Sequence, residues 1–258
     1  MGAGGTETVG LVPAAGQALR LAPLPCSKEL LPVGFLDGPD GPRPKPVCCY
    51  LLEQLREACI ERAFLVLAKG KWDIPAYLGD GGALGLRLGY LVAEASPDTA
   101  TTVDRARPFV EHTLVAFGFP DIVAQPRDLF ARLLKRQQET GAAVVLALLP
   151  ADQPRKMDMV AVDERGRVER IVVKPERTDL RLAWISAVWT PAFTAFLGRF
   201  QQQRGDDARE VHIGEVVAAA IDAGLHVDSV TFDEGTYIDV GTPDDLARAV
   251  RTYGGLDT

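Results

Sequence analysis

From residue 8 to residue 251, short apolar runs alternate with helix-period stretches, and this alternation constrains the fold more than any other feature. Thr8–Pro13 reads as a buried strand that runs into a long loop loaded with Gly and Pro, Ala14–Pro46. Val47–Ile60 places Leu51, Leu52, Leu55 and Cys59 on one helical face. Strands are expected at Ala63–Ala68, Leu86–Val92, Thr113–Gly118, Ala142–Leu149, Arg181–Trp189, His226–Phe232 and Thr236–Val240. Helices are expected at Thr99–Arg107, Arg127–Thr140, Pro191–Gln202, Val211–Ala223 and Pro243–Arg251. The last has Thr242 as N-cap and Pro243 at its first position. Met159–Val173 alternates about an Asp-Glu-Arg-Gly turn, which is a hairpin pattern. Parallel neighbours need a crossover between them, so this order predicts an α/β fold: a mixed, mostly parallel sheet flanked by helices on both faces. No repeat or linker divides the chain, and residues 1–258 are read as one domain.

The charge balance excludes several classes of partner. With 28 Lys+Arg against 35 Asp+Glu, the chain has a net charge of −7 and no basic run. That argues against nucleic acid or an anionic membrane, but not against a nucleotide, which needs only a few local cations. The longest apolar run, Ala142–Pro150, is far shorter than the roughly 20 residues that cross a bilayer. Met1–Gly5 has neither the positive start nor the apolar core of a signal peptide, and MGAGGT fits a myristoylation pattern too short to carry weight. Cys26, Cys48, Cys49 and Cys59 form no C-x-x-C pair, so free thiols in a reducing compartment, hence a cytoplasmic protein, are expected. His112, His212 and His226 have no metal-ligand spacing and read as surface or structural residues. There is no G-x-S-x-G elbow on which a hydrolase triad could be anchored.

In open sheets of this kind ligands sit beyond the carboxyl ends of the strands, so the segment after the first strand is the place to look. It reads AAGQALRLAPLPCSKELLPVG, Ala14–Gly34. Small residues at Ala14, Ala15, Gly16 and Ala18 let backbone N–H groups approach a polyphosphate, and Arg20 and Lys28 follow with positive charge. It is neither a Walker A loop nor G-x-G-x-x-G. A solvated surface loop carrying two cations is the alternative reading of the same residues.

This segment resembles the signature of the sugar-1-phosphate nucleotidyltransferases, the nucleotide-sugar pyrophosphorylases, roughly A/G-G-x-G-x-R-x-x-P-x-T-x-x-x-P-K-x-L-L-P-V. Gly16, Arg20, Pro23, Lys28, Leu31, Pro32 and Val33 are kept, and Ala18 replaces the second glycine. Lys45–Ile60 is similar to the family's K-P-M-I-x-Y-x-L-x-x-L-x-x-A-G-I, and Gly235–Val250 to its closing W/Y-x-D-x-G-T-P-x-x-L-x-x-A. Glucose-1-phosphate thymidylyltransferases and UTP–glucose-1-phosphate uridylyltransferases are the members it looks like. The resemblance implies a Rossmann-like nucleotidyltransferase fold. It also implies attack of an acceptor phosphate on the α-phosphorus of an NTP, with release of pyrophosphate. Positioning and neutralisation of charge would dominate such a reaction. Arg20 and Lys28 become the catalytic cations; Ala14, Ala15, Gly16, Glu94 and Thr99 the nucleotide-binding residues; and Lys174 the acceptor-binding residue. Mg²⁺ is implied as cofactor, because a hard cation takes one or two carboxylates and fills its shell with phosphate oxygens and water. Its ligands would be Asp121 and Asp239. The partners implied are an NTP and a sugar 1-phosphate or other phosphorylated acceptor, and a homo-oligomer is left open.

Three positions depart from the pattern. Where the family has a G-D aspartate after its central strand, this chain reads FPDI, so Phe119 and Pro120 precede the nearest carboxylate, Asp121. Glu94 stands where a base-reading Gln is usual. A carboxylate only accepts hydrogen bonds and would suit the N1–H and N2–H₂ donors of guanine; a Glu94 pointing into solvent would read nothing. Val173–Pro175 reads VKP in place of E-K-P, which removes a carboxylate that Glu176 or Asp179 would have to replace. The altered Gly118–Asp121 and Val173–Pro175 segments keep a second reading in play, a non-catalytic relative that binds a nucleotide or nucleotide-sugar and acts as regulator or partner subunit. A Rossmann oxidoreductase is more remote, since the early glycine cluster, Gly2–Gly5, precedes the first strand. The chain ends soon after its closing helix, so the β-helix that some members append is not expected.

Overall fold

The protein is described by a computed structural model covering residues 6–37, 41–94, 96–205 and 209–255. Met1–Gly5, on which the signal-peptide, myristoylation and early-glycine readings rest, lie outside these residues, as does Ala95 within the Glu94–Thr101 segment. In chain order the elements are β1 (Thr8–Ala14), β2 (Pro32–Leu36), β3 (Arg43–Pro46), α1 (Val47–Glu57), β4 (Arg62–Ala68), α2 (Asp73–Leu78) and β5 (Arg87–Ala93). Then come α3 (Thr99–Asp104), α4 (Arg107–Val110), β6 (Leu114–Gly118), β7 (Ile122–Gln125), α5 (Leu129–Thr140), β8 (Val144–Pro150) and β9 (Met159–Val162). The rest are β10 (Val168–Val172), β11 (Leu182–Trp189), α6 (Pro191–Arg204), α7 (Ile213–Asp222), β12 (Val227–Thr231), β13 (Thr236–Asp239) and α8 (Pro243–Tyr253).

Nine strands form the main sheet, with β5, β4, β1, β6, β11, β8 and β12 side by side and the β9–β10 hairpin branching from β11. Strands β10 and β11 run against the others, so the sheet is mixed and mostly parallel, as the alternation predicts. A period of two sends alternate residues of each strand to opposite faces. In β8, Val144, Leu146 and Leu148 pack under α3, α6 and α7, while Val145, Ala147 and Leu149 pack under α1, α2 and α5. Trp189, Phe117, Phe130 and Phe193 are fully buried in these layers. Truncating one of them to Ala costs about 3–5 kcal/mol.

Several short elements differ from the sequence expectation. The expected helix Thr99–Arg107 is two helices, α3 and α4, and α2 was not foreseen. The long Ala14–Pro46 loop contains a two-stranded ladder, β2 with β3. The expected last strand exists, but it pairs outside the main sheet with β7. Pro120 cannot donate to a ladder, and the chain leaves the main sheet there to start β7. Thr242 caps α8 as expected, accepting the Asp245 N–H at 3.3 Å.

Candidate active site

One edge of β11 is shared. Its Ser186–Trp189 half pairs with β6, and its Leu182–Ala183 half pairs with β9. β6 stops at Gly118, and beyond it the sheet opens into a cleft of about 850 Å³ at the carboxyl end of β1. The loop after β1 supplies Ala15, Gly16, Ala18, Arg20 and Lys28 to one part of the wall, with Ser96–Thr99 facing them. Asp158, Lys174, Trp184 and His212 line another part, and Phe119, Asp121 and Asp239 lie in the same cleft.

The β7–β13 ladder brings the two carboxylates together. Asp239 faces Ile122 in its register, and the Val240 N–H donates to the Asp121 carbonyl at 2.8 Å. Lys28, on a single 3-10 turn, forms an ion pair with the Asp121 carboxylate. Burial pulls the Lys28 ammonium down, but Asp121, with Glu29 and Asp239 nearby, holds it above its ordinary value. Glu29 turns the other way into a buried pair with Lys71, 2.7 Å. Burial, reinforced by the Asp121 charge, pushes the Asp239 carboxyl up to about 6, although Lys28 and Arg20 pull it back. The Arg20 guanidinium passes over Gly241, where an added Cβ would lie 2.8 Å from Nη2 and 3.5 Å from Asp239 Oδ1. Glycine lets the guanidinium lie this close; a side chain there would displace it. Burial and the neighbouring Asp121 charge outweigh Lys28 and Arg20 at Asp239, so the paired carboxylates can still take positive charge, which fits a hard divalent cation shared with phosphate oxygens. Among the described residues no group of three or more metal-ligating side chains gathers, so phosphates and water would have to complete the shell.

The glycine-to-alanine departure leaves a mark on the backbone. Ala18 has φ of 54°, a left-handed conformation that an L-residue adopts at a cost of about 1–2 kcal/mol. Lys174 is held at φ 40°, which aims its ammonium at the His212 ring, 3.2 Å from Nε2 and 3.4 Å from Nδ1. Backbone strain of this kind persists where the surroundings over-determine it and collects at functional sites.

Not every expected residue reaches the cleft. Ala14 ends β1 with its side chain in the core, while Ala15 and Gly16 line the wall. Thr99 lines it too, at the start of α3, where Asp98 Oδ1 accepts the Thr101 N–H at 2.7 Å. Glu94 stands apart: it follows the edge strand β5, is exposed, and pairs with Lys69 at 3.0 Å. Glu176 and Asp179, the suggested replacements for a carboxylate at Val173, are exposed and outside the cleft lining. The carboxylate that lines the cleft with Lys174 and His212 is Asp158, which sequence reasoning missed along with His212, Arg155 and Lys156. Burial raises the Asp158 carboxyl, while His212 and Lys174 draw it down. Arg155 Nε donates to the Glu176 carbonyl at 3.0 Å, and Lys156 pairs with Asp245 at 2.9 Å, so both are tied to neighbouring loops.

Comparison with known proteins follows the same lines. The nucleotidyl transferase family matches residues 9–254. The low-salt glycan biosynthesis nucleotidyltransferase Agl11 of Haloferax volcanii is 28% identical over 250 residues, covering 93% of this chain and 64% of that protein. A glucose-1-phosphate thymidylyltransferase of Streptomyces griseus is 27% identical over 247 residues, again covering 93% of this chain and 64% of the relative. The chain therefore spans just under two thirds of the length of the curated relatives it matches. A crystal structure of UDP-glucose pyrophosphorylase complexed with UDP-glucose superposes with a TM-score of 0.79 at 18% identity, over 96% of this chain and 98% of that one. That likeness is one of fold. The match over residues 9–254 places the chain in the nucleotidyl transferase family. Among the described residues no helix is long and apolar enough to cross a membrane.

Proposed function

We propose that this nucleotidyl transferase moves a nucleoside monophosphate from an NTP to the phosphate of a sugar 1-phosphate or a related phosphorylated acceptor. An acceptor phosphate oxygen forms a bond to the α-phosphorus, the α–β phosphoanhydride bond breaks, and pyrophosphate leaves. One observation carries the reading: Arg20, Lys28, Asp121 and Asp239 converge in the same cleft that Lys174 enters.

In this reading Ala15, Gly16 and Thr99 lie along the nucleotide, and the loop backbone approaches its phosphates. Arg20 and Lys28 neutralise charge on the triphosphate, and Lys174 holds the acceptor phosphate against the repulsion of the donor's phosphates. Release of Lys28 from Asp121 toward phosphate would leave both carboxylates free to hold Mg²⁺, which when bound neutralises the reacting phosphates. The domain acts as one unit over residues 1–258, in the cytoplasm, without nucleic acid or membrane. The test is a pyrophosphate-release panel in which each NTP, with Mg²⁺, is paired with several sugar 1-phosphates. The expected result is release that needs both substrates and stops on chelation. Nucleotide binding with no release in any pairing would replace catalysis with a regulatory binding role.

A further inference from the structure

Asp158 stands one residue before β9, across the hairpin from Val173. Val172 faces Met159 in the ladder, so the next pair outward is Val173 with Asp158. Lys174 follows Val173, which puts a carboxylate and an ammonium at the same end of one hairpin. The Asp158 carbonyl accepts the Trp184 N–H at 3.3 Å, which fixes its backbone to β11. The first turn of α7 closes over its side chain at Gly214, where a Cβ would lie 2.1 Å from Asp158 Oδ2. A side chain at 214 would collide with the carboxylate, so the wall is built around it.

Compensation of this carboxylate is only partial: burial raises it more than His212, Lys174 and the Trp184 indole draw it down. Among the described residues it makes no ion pair, and Oδ1 is closed off from solvent with no hydrogen-bond partner, as is the nearby indole Nε1 of Trp184. Enclosing a carboxylate with one oxygen unpartnered is unfavourable, and a donor brought by a ligand reduces that penalty. A carboxylate accepts and does not donate, so it cannot hold the acceptor's phosphate; it repels it. Lys174 attracts the phosphate instead. Phe119, half-buried and packed on the buried Trp184 with ring centroids 5.8 Å apart, lines the same cleft and offers an apolar edge to the body of the ligand.

We propose that Asp158 is the specificity-determining residue for the acceptor, taking a hydrogen bond from a ring hydroxyl of a sugar 1-phosphate whose phosphate lies on Lys174. This rests on the nucleotidyl-transfer reading above and adds to it the class of group that is read. The same carboxylate disfavours acceptors that would place an anion at that position, and so sets the direction in which the sugar lies.

The test uses the full chain and the hexose 1-phosphate giving the highest kcat/KM in the panel, with its monodeoxy analogues. Asp158→Ala should raise the acceptor KM about 10- to 100-fold, the range of one hydrogen bond to a charged group, and leave the NTP KM unchanged. One deoxy analogue that the parent protein rejects should be used by Asp158→Ala as well as the complete sugar. Asp158→Asn, which keeps the shape and an acceptor oxygen, should lie between, and it decides the matter if the alanine variant does not fold. Glu176→Gln, outside the cleft, should leave acceptor kinetics as they are. A variant that discriminates the deoxy series as the parent does would overturn the assignment of Asp158 alone. A parent protein inactive with every hexose 1-phosphate would overturn the transferase reading, and this inference with it.

Discussion

Replacing Asp239 with Asn should stabilise the metal-free protein at neutral pH while abolishing its activity. The carboxyl is pushed from an ordinary 3.8 up to about 6 by burial and by Asp121. The folded state therefore keeps a proton that the unfolded chain has already lost, and stability falls as pH rises from about 3.8 through about 6. Below that window the group is neutral in both states and costs nothing. Above it the cost is complete, at most about 3 kcal/mol, at about 1.4 kcal/mol for each tenfold change in proton affinity. An amide of the same shape carries no such cost. Urea unfolding with a chelator present should then show Asp239→Asn equal to the parent near pH 3 and more stable by about 1–3 kcal/mol at pH 7.5, with m unchanged. In a melt this corresponds to a rise of roughly 3–10 °C for a chain of this size. Mg²⁺ with an NTP should narrow the difference, because ligands that bind the folded parent stabilise it and would not stabilise a variant lacking the site. A gain that is independent of pH, or a variant less stable than the parent at pH 7.5, would refute the account of Asp239 as a carboxylate whose burial outweighs its neighbouring cations.

Arg20→Ala and Lys28→Ala should mainly lower turnover, by about 10²- to 10⁴-fold, as measured by pyrophosphate release at saturating substrates. Lys174→Ala should raise the KM of the acceptor more than that of the NTP, and unaltered acceptor kinetics would make it an ordinary surface lysine. Asp121→Asn should lose most activity while melting as a folded protein, and combined with Asp239→Asn should lose no more than the worse single variant, since either removal disables the same cation. Glu94→Gln should leave the order of preference among NTPs unchanged, because the side chain pairs with Lys69 outside the cleft; a switch in base preference would bring Glu94 back to the nucleotide.

What the sequence reveals, and what it hides, follows the range of the interactions involved. The alternation of strands and helices is local, so the sheet and its two helical layers are legible, as are the cations at fixed offsets after β1. Whether Asp121 can partner Asp239 is not local. It depends on β7, a four-residue strand, Ile122–Gln125, too short for its period to register, pairing with β13 more than a hundred residues away. The FPDI departure reads in the sequence as a displaced ligand, yet the ladder that begins one residue later returns Asp121 to Asp239. Asp158 was hidden for a subtler reason. The hairpin turn that precedes β10 is visible in the sequence, and counting outward from it should name the residue opposite Val173. A register shift lies between Val168 and Arg170, so Val168 faces Val162 but Arg170 faces Ala161. Counting from the turn with the first pairing therefore ends at Met157, an unremarkable apolar residue, and only the shifted pairing that follows the bulge ends at Asp158. One extra residue in a ladder decides whether a methionine or a carboxylate stands across from Val173, beside the lysine proposed to hold the acceptor phosphate.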